Sequence, residues 1–226
     1  MSGSELIKTR IGRGRGGWGA LHLFGWILFS GIFLNPLASW GDASRPPEYA
    51  RDILKSGTVE LGIGAGIWQA VDIGNHPPST DRRAVFVLPK IGMIVTDEFR
   101  AGLLSGNIEL GMEPLFARFT KPFAAEAAGG TGVLTYNLLS FGRWVPFWEV
   151  GAGMLWTNLA PRIPEQSTPV NFVVQTGPGV HYFLTHSLTV TASVRFHHFS
   201  NADTGERNVG LNGVLPYVGL SWFSPR

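Results

Sequence analysis

Arg143 to Trp156 reads RWVPFWEVGAGMLW, and its large apolar residues keep a period of two. Trp144, Trp148, Val150, Ala152, Met154 and Trp156 share one parity, with Glu149 and two glycines on the other. Such alternation sends two kinds of side chain to opposite faces of a β-strand. The same period recurs in GTVELGIGAGIW, where Val59, Leu61, Ile63, Ala65 and Ile67 alternate with Glu60 and glycines. In LSGNIELGMEPLF it sets Leu104, Ile108, Leu110, Met112 and Phe116 against Ser105, Asn107, Glu109 and Glu113. Followed along the chain, it predicts eight strands near 57–68, 83–96, 104–117, 131–140, 143–157, 170–184, 187–200 and 212–224. The faces of AEAAGGTGVLTYNLL are poorly separated, so the fourth strand is the least defined, and its start also reads as a short helix or loop.

Strands of this length suit a tilted crossing of a bilayer, and eight is the smallest usual number for a closed membrane barrel. One predicted face is nearly all Leu, Val, Ile, Met and Trp. The other carries Glu60, Lys90, Glu109, Glu113, Glu149, Gln175, Arg195 and His197. Alternation alone does not say which face is wet, and a soluble lipocalin-like barrel would turn the apolar face inward. Charged residues make up only 15% of the chain, low for a water-facing surface, and Trp144, Trp148, Trp156 and Trp222 all fall on the apolar face, as an aromatic girdle requires. The expected class is therefore all-β, an eight-stranded antiparallel up-and-down transmembrane β-barrel over residues 57–226.

Residues 1–41 read as a signal peptide. Lys8, Arg10, Arg13 and Arg15 precede the apolar run ALHLFGWILFSGIFL, and small residues follow near Ala38 to Ala43. A retained signal anchor is the alternative. RGRGG stands in the charged part of this leader, which outweighs an RNA-binding reading. Residues 42–56, DASRPPEYARDILKS, read as a periplasmic lead-in. The leader holds four of the 18 basic residues and one, Glu5, of the 16 acidic ones, so the remainder carries a net charge of −1. No basic face for nucleic acid survives that subtraction. The chain has no cysteine, hence no disulfide framework, thiolate nucleophile or Cys metal site.

If the first strand leaves the periplasm, the odd-to-even links are 69–82, 118–130, 158–169 and 201–211. The even-to-odd links are shorter, at 97–103, 141–143 and 185–187. Long links outside and short ones inside are the usual barrel asymmetry, with both termini periplasmic. Other signals point nowhere specific. GIGAG, GGTG and GPG lie in strands or loops with no helix to present a phosphate site. The lumenal glutamates suggest an ion path less than they suggest buried pairs with Lys90 and Arg195.

RFHHFSNADTGERNVGLN, Arg195 to Asn212, is dense in polar groups between two alternating apolar segments. Parity along SLTVTASVRFHHFS puts His198 and Ser200 on the apolar row of Val190, Val194 and Phe196, with Arg195 and His197 on the lumenal row. Along NGVLPYVGLSWF, Asn212 joins the row of Val214, Val218 and Trp222. Three polar side chains thus face outward at the rim expected to be extracellular. Polar groups facing lipid are costly unless used. His and Ser at i and i+2 are close enough for an imidazole to take a serine proton, and nearby amides can bind an oxyanion. Equally, all three can simply reach the headgroup zone.

HFSNA, His198 to Ala202, together with Asn208–Val209–Gly210, resembles the signature of the outer-membrane lipid A 3-O-deacylase family, acyloxyacyl hydrolase-like eight-stranded barrels with a Ser–His esterase site on the outer wall. PFWEVGAG, Pro146 to Gly153, extends the resemblance more loosely. By that resemblance His198 falls on the general base and Ser200 on the nucleophile. Asn201, Asn208 and Gly210 fall on the oxyanion segment, and Asn212 on the residue that holds the imidazole. Family members carry glutamate where this chain has Asn212; Asp203 and Glu206 are further carboxylates in the same loop. The implied activity is hydrolysis of the 3-O acyl ester of lipid A in the outer leaflet of a Gram-negative outer membrane, with no metal or cofactor. The partners are lipopolysaccharide, the membrane and, as an oligomeric option, a second copy in a homodimer. A phospholipase or acyltransferase would use the same dyad. Asn212 leaves open a non-catalytic envelope barrel derived from the same family.

Overall fold

In the computed structural model the described residues are 49–73 and 81–224. The leader reading over 1–41 lies outside them, as does half of the first predicted link. A short helix α1 (Tyr49–Ile53) precedes eight strands: β1 (Val59–Ala70), β2 (Arg83–Ile94), β3 (Gly106–Lys121), β4 (Ala125–Leu138), β5 (Trp144–Thr157), β6 (Val170–Phe183), β7 (Leu188–Ser200) and β8 (Leu211–Ser224). Each strand pairs antiparallel with the next in sequence, and β8 closes on β1. Closure leaves no edge, so every strand's backbone finds its partners within the wall.

The polarity of the wall is inverted relative to a soluble barrel. Ile63, Leu110, Met112, Trp148, Val150 and Met154 are exposed, while Glu60, Glu109, Glu113, Glu149, Gln175, Arg195 and His197 are buried inside. This excludes the lipocalin-like reading and is the arrangement of an outer-membrane β-barrel. Among the described residues no helix is long and apolar enough to cross a membrane; the strands provide the belt.

The fourth strand begins earlier than predicted. β3 runs to Lys121 and β4 starts at Ala125, so the expected loop over 118–130 is reduced to residues 122–124. Ala125 and Ala127 pack inward, and across the outer face Arg118 Nη1 lies 3.0 Å from Glu126 Oε1. Alanine and glycine carry no hydrophobic signal of their own, and the register with β3 supplies the order. Conversely, the β2–β3 link spans 95–105 and contains a 3₁₀ turn, Gly102–Leu104. The long-outside, short-inside pattern is thus less regular than the sequence suggests.

The interior has three layers. In the middle, Lys90 Nζ stands 2.7 Å from Glu60 and 2.8 Å from Glu109. Arg195 lies between Glu113 and Glu149 and donates to Tyr217 Oη at 2.8 Å. These are the buried pairs expected from the sequence. Toward the β7–β8 link, Trp68, Phe86, Phe119 and Phe199 fill the barrel, with ring centroids of Trp68 and Phe199 5.6 Å apart. At the other end α1 folds into the barrel mouth. Ala50, Ile53 and Leu54 pack on Ile94, Val145, Phe183 and Phe223, and Asn107 Nδ2 donates to Leu54 O at 2.6 Å. The segment predicted as a polar lead-in is therefore in part a plug, and the lumen is apolar at both ends rather than polar throughout.

Candidate active site

β7 continues its alternation to the last residue. Arg195, His197 and Phe199 are buried inside, and Val194, Phe196, His198 and Ser200 point outward, His198 and Ser200 half-buried. His198 is the cross-strand partner of Val174 on β6 and of Asn212 on β8; Ser200 faces Phe172. Polar His198, Ser200 and Asn212 therefore interrupt a wall whose other members here are Phe172, Val174 and Val194, all exposed.

His198 and Asn212 are in contact: ring Nδ1 and side-chain Oδ1 are 2.7 Å apart. An amide oxygen only accepts, so Nδ1 carries the proton and Nε2 holds the lone pair. That is the tautomer a general base needs. Asn212 is fixed in turn through its backbone, whose carbonyl accepts the N–H of Val71, just beyond β1, at 2.9 Å. Gly213 follows because the Trp68 indole lies where a Cβ would be, 2.0 Å from Cε2.

Gly210 sits at φ +75°, and a Cβ there would lie 2.9 Å from Cε1 of His198. Glycine is thus required twice, for the left-handed backbone and for the close approach of the imidazole. Its contact is with the histidine ring. The Ser200 hydroxyl has no hydrogen bond among the described residues, to His198 or to any other group. Nucleophile–base hydrogen bonds are often long in unliganded sites and tighten with substrate.

The β7–β8 link, residues 201–210, is held by an amide network. Asn201, fully buried, donates its backbone N–H to Asn208 Oδ1 at 3.0 Å and its side-chain N–H to Arg207 O at 2.9 Å. Asn208 Nδ2 donates to Asp203 Oδ1 at 3.0 Å. Asn208 is therefore locked in one amide orientation, and one of its two N–H bonds is left over. Asp203 serves Asn208 and does not touch His198; Glu206 is exposed and likewise makes no bond to the imidazole. Ala202 and Asp203 both have positive φ, +51° and +60°. Non-glycine residues rarely adopt that conformation, and consecutive ones mark a locally strained turn directly after Ser200. Among the described residues the Ala202 N–H has no acceptor, so it is a donor that the sequence reading missed. Only the Ser-Asn-Ala-Asp run, with Asn and Asp able to bond their own backbone, hinted at an unusual turn there.

A second loop supports the first. In the β5–β6 link, 158–169, Leu159 and Ile163 are buried in the barrel mouth. Glu165 O accepts the Val209 N–H at 3.0 Å, and Gln166 bridges to Asn208. The Glu165 carboxylate lies 2.5 Å from Arg82 Nη2, deep in the mouth. Burial pushes the Arg82 guanidinium below its ordinary value, and Glu165 offsets part of that shift. Among the described residues no three His, Asp or Glu side chains are grouped as metal ligands would be.

The chain is similar to known barrels at two levels. The crystal structure of the outer membrane enzyme PagL aligns with a TM-score of 0.50 at 15% identity, over 71% of this chain and 97% of that one. Neisserial surface protein A aligns at 0.47, with 11% identity over 74% and 97% of the two chains. The N-terminal β-barrel domain of Pseudomonas aeruginosa OprF aligns at 0.45, with 14% identity over 75% and 98%. The first of these likenesses speaks for the fold alone. No curated protein matches by sequence. The family model for lipid A 3-O-deacylase (PagL) matches residues 90–221, more than half of the chain and all of the segment from His198 to Asn212. By that match the chain belongs to the lipid A 3-O-deacylase (PagL) family.

Proposed function

We propose that the protein is an outer-membrane esterase that hydrolyses the 3-O acyl ester of lipid A from the outer wall of the barrel, at its extracellular rim. The observation that carries this reading is the 2.7 Å contact of His198 Nδ1 with Asn212 Oδ1, on the same outward-facing patch as Ser200. His198 Nε2 takes the Ser200 proton as Oγ attacks the ester carbonyl. The tetrahedral oxyanion is received by the free N–H of Ala202 and the remaining N–H of Asn208. As it collapses, His198 returns the proton to the sugar oxygen, which leaves. Water, deprotonated by His198, then cleaves the acyl-enzyme and releases a 3-hydroxy fatty acid. Gly210 and Asn201 keep the ring and the loop in place. The exposed Phe172 and Val174 offer apolar surface to the acyl chain beside the dyad.

A second reading, a non-catalytic barrel of the same family, is favoured by Asn212, which cannot place a negative charge beside an imidazolium. Mass spectrometry of lipid A after incubation with the purified protein separates the two. Release of the 3-O chain by wild type and none by Ser200→Ala supports the esterase. No release by wild type supports the inactive barrel.

A further inference from the structure

Residues 95–105 make a longer link between β2 and β3 than the 97–103 expected from the sequence. Phe99 and Gly106 exchange backbone hydrogen bonds of 2.7 and 3.1 Å, and the 3₁₀ turn Gly102–Leu104 closes the tip. The tip is tied to the outside of the wall. Tyr136, on the outward row of β4 with the exposed Leu134, donates its hydroxyl to Leu104 O at 2.7 Å. Ser140, from the neighbouring β4–β5 link, donates to Gly102 O at 2.8 Å. Two links are thus joined into one ledge beside the barrel, at the end plugged by α1.

What the ledge presents is apolar. Leu103 is 71% exposed, Leu104 66%, Phe99 50% and Phe141 43%. Four large apolar side chains gathered on two adjoining links are out of place in water. They are continuous with the belt, since Leu110, Leu134 and Trp144 on the adjoining strands are exposed as well. Arg100 is exposed on the same turn and has no ion-pair partner among the described residues.

We propose that Phe99–Leu104, with Phe141, is an interfacial anchor. It inserts laterally into the phospholipid leaflet at the α1 end of the barrel, with Leu103 and Leu104 among the acyl chains and Arg100 at the level of the phosphates. A short amphipathic segment with an apolar tip and a basic neighbour has the chemistry of such an anchor. The hydrogen bonds from Tyr136 and Ser140 hold it flat against the wall, where lipid and not the aqueous compartment adjoins it. The proposal stands apart from the esterase reading, because it concerns the opposite rim.

The chain has no cysteine, so single-cysteine variants accept one label each. The experiment places an environment-sensitive fluorophore at Leu103→Cys, and separately at Leu104→Cys, in the mature barrel. The host is a lipid nanodisc of phosphatidylethanolamine and phosphatidylglycerol holding one copy. Lys55→Cys, exposed at the same end, is the water-facing reference. Heat-modifiable gel migration verifies that each variant is folded. The expected result is severalfold stronger quenching by a lipid-borne nitroxide, and severalfold weaker quenching by iodide, at 103 and 104 than at 55. Iodide quenching equal to that at 55 would overturn the proposal. So would shielding from both quenchers, which would put the turn against protein. Iodide access in single-copy discs that is lost when copies are crowded would assign the ledge to a second copy instead of lipid.

Discussion

His198 donates its Nδ1 proton to the side-chain oxygen of Asn212, 2.7 Å away across the β7–β8 pair. The amide thereby does one of the two tasks of a carboxylate in that place, since it selects the tautomer. The other task, stabilising the imidazolium that the proposed mechanism forms when Ser200 gives up its proton, needs a charge that asparagine lacks.

Asn212→Glu should therefore raise the rate of deacylation. In a serine protease, replacing the carboxylate by its amide costs about 10⁴ in rate, largely through the wrong tautomer. Here the tautomer is already correct, so the gain should be smaller, on the order of ten- to a hundredfold. The measurement is the initial rate of 3-hydroxy fatty acid release from lipid A. An unchanged rate would mean that Asn212 is not the residue that limits His198.

Gly210→Ala should lower activity while leaving the barrel folded. The left-handed backbone at φ +75° costs an alanine about 1–2 kcal/mol. The new methyl would also press on Cε1 of His198, 2.9 Å from its ideal position, and rotate the ring away from Ser200. Heat-modifiable migration should persist while turnover falls. Full activity would show that the imidazole moves aside without consequence.

Asp203→Ala should release Asn208 Nδ2 from its 3.0 Å bond and let the amide rotate. If Asn208 steadies the oxyanion, kcat should fall on the order of tenfold, less than the loss of a whole donor, with KM little changed. Asp203→Asn keeps an acceptor oxygen and should recover most of the rate. Equal loss in both variants would point to loop charge rather than to the orientation of Asn208.

Arg195→Met should destabilise the barrel strongly. It strands Glu113 and Glu149, both buried, and breaking a buried ion pair costs about 3–5 kcal/mol. Adding Glu113→Gln and Glu149→Gln should restore much of the stability. The midpoint of urea unfolding in lipid vesicles, for wild type, single and triple variants, is the readout. A midpoint unmoved by Arg195→Met would show that the lumenal charges are solvated.

The barrel was legible because its signal is periodic and its two faces differ in kind: Glu109 and Met112 announce opposite sides by chemistry alone. Ala125 to Gly132 carried no such contrast, and that is where the strand boundary was misjudged. The α1 plug was hidden for another reason. Ala50, Ile53 and Leu54 form too short an apolar stripe to stand out from a polar segment, and only the open mouth of the barrel gives them a place. Within the candidate site, strand parity brought His198, Ser200 and Asn212 to one face. The interplay of Asn201, Asp203 and Asn208 was out of reach, because it depends on backbone angles in a link with no period. The clamp from Glu165 and Gln166 joins positions some forty residues away, and no local pattern records it.

The bond from Val71 to the Asn212 carbonyl ties the candidate site to the meeting of the chain's two ends. β1 and β8 are the most distant pair in sequence, so their contact carries the largest loop-closure cost among the strand pairs. Until that seam zips, Asn212 is held beside His198 by the β7–β8 pair alone, and its carbonyl lacks the Val71 donor. The second anchor of the patch is thus a property of the finished cylinder. A chain whose first and last strands have not yet met holds the β7–β8 pair without that tie, so its polar patch is less rigid than that of the closed barrel.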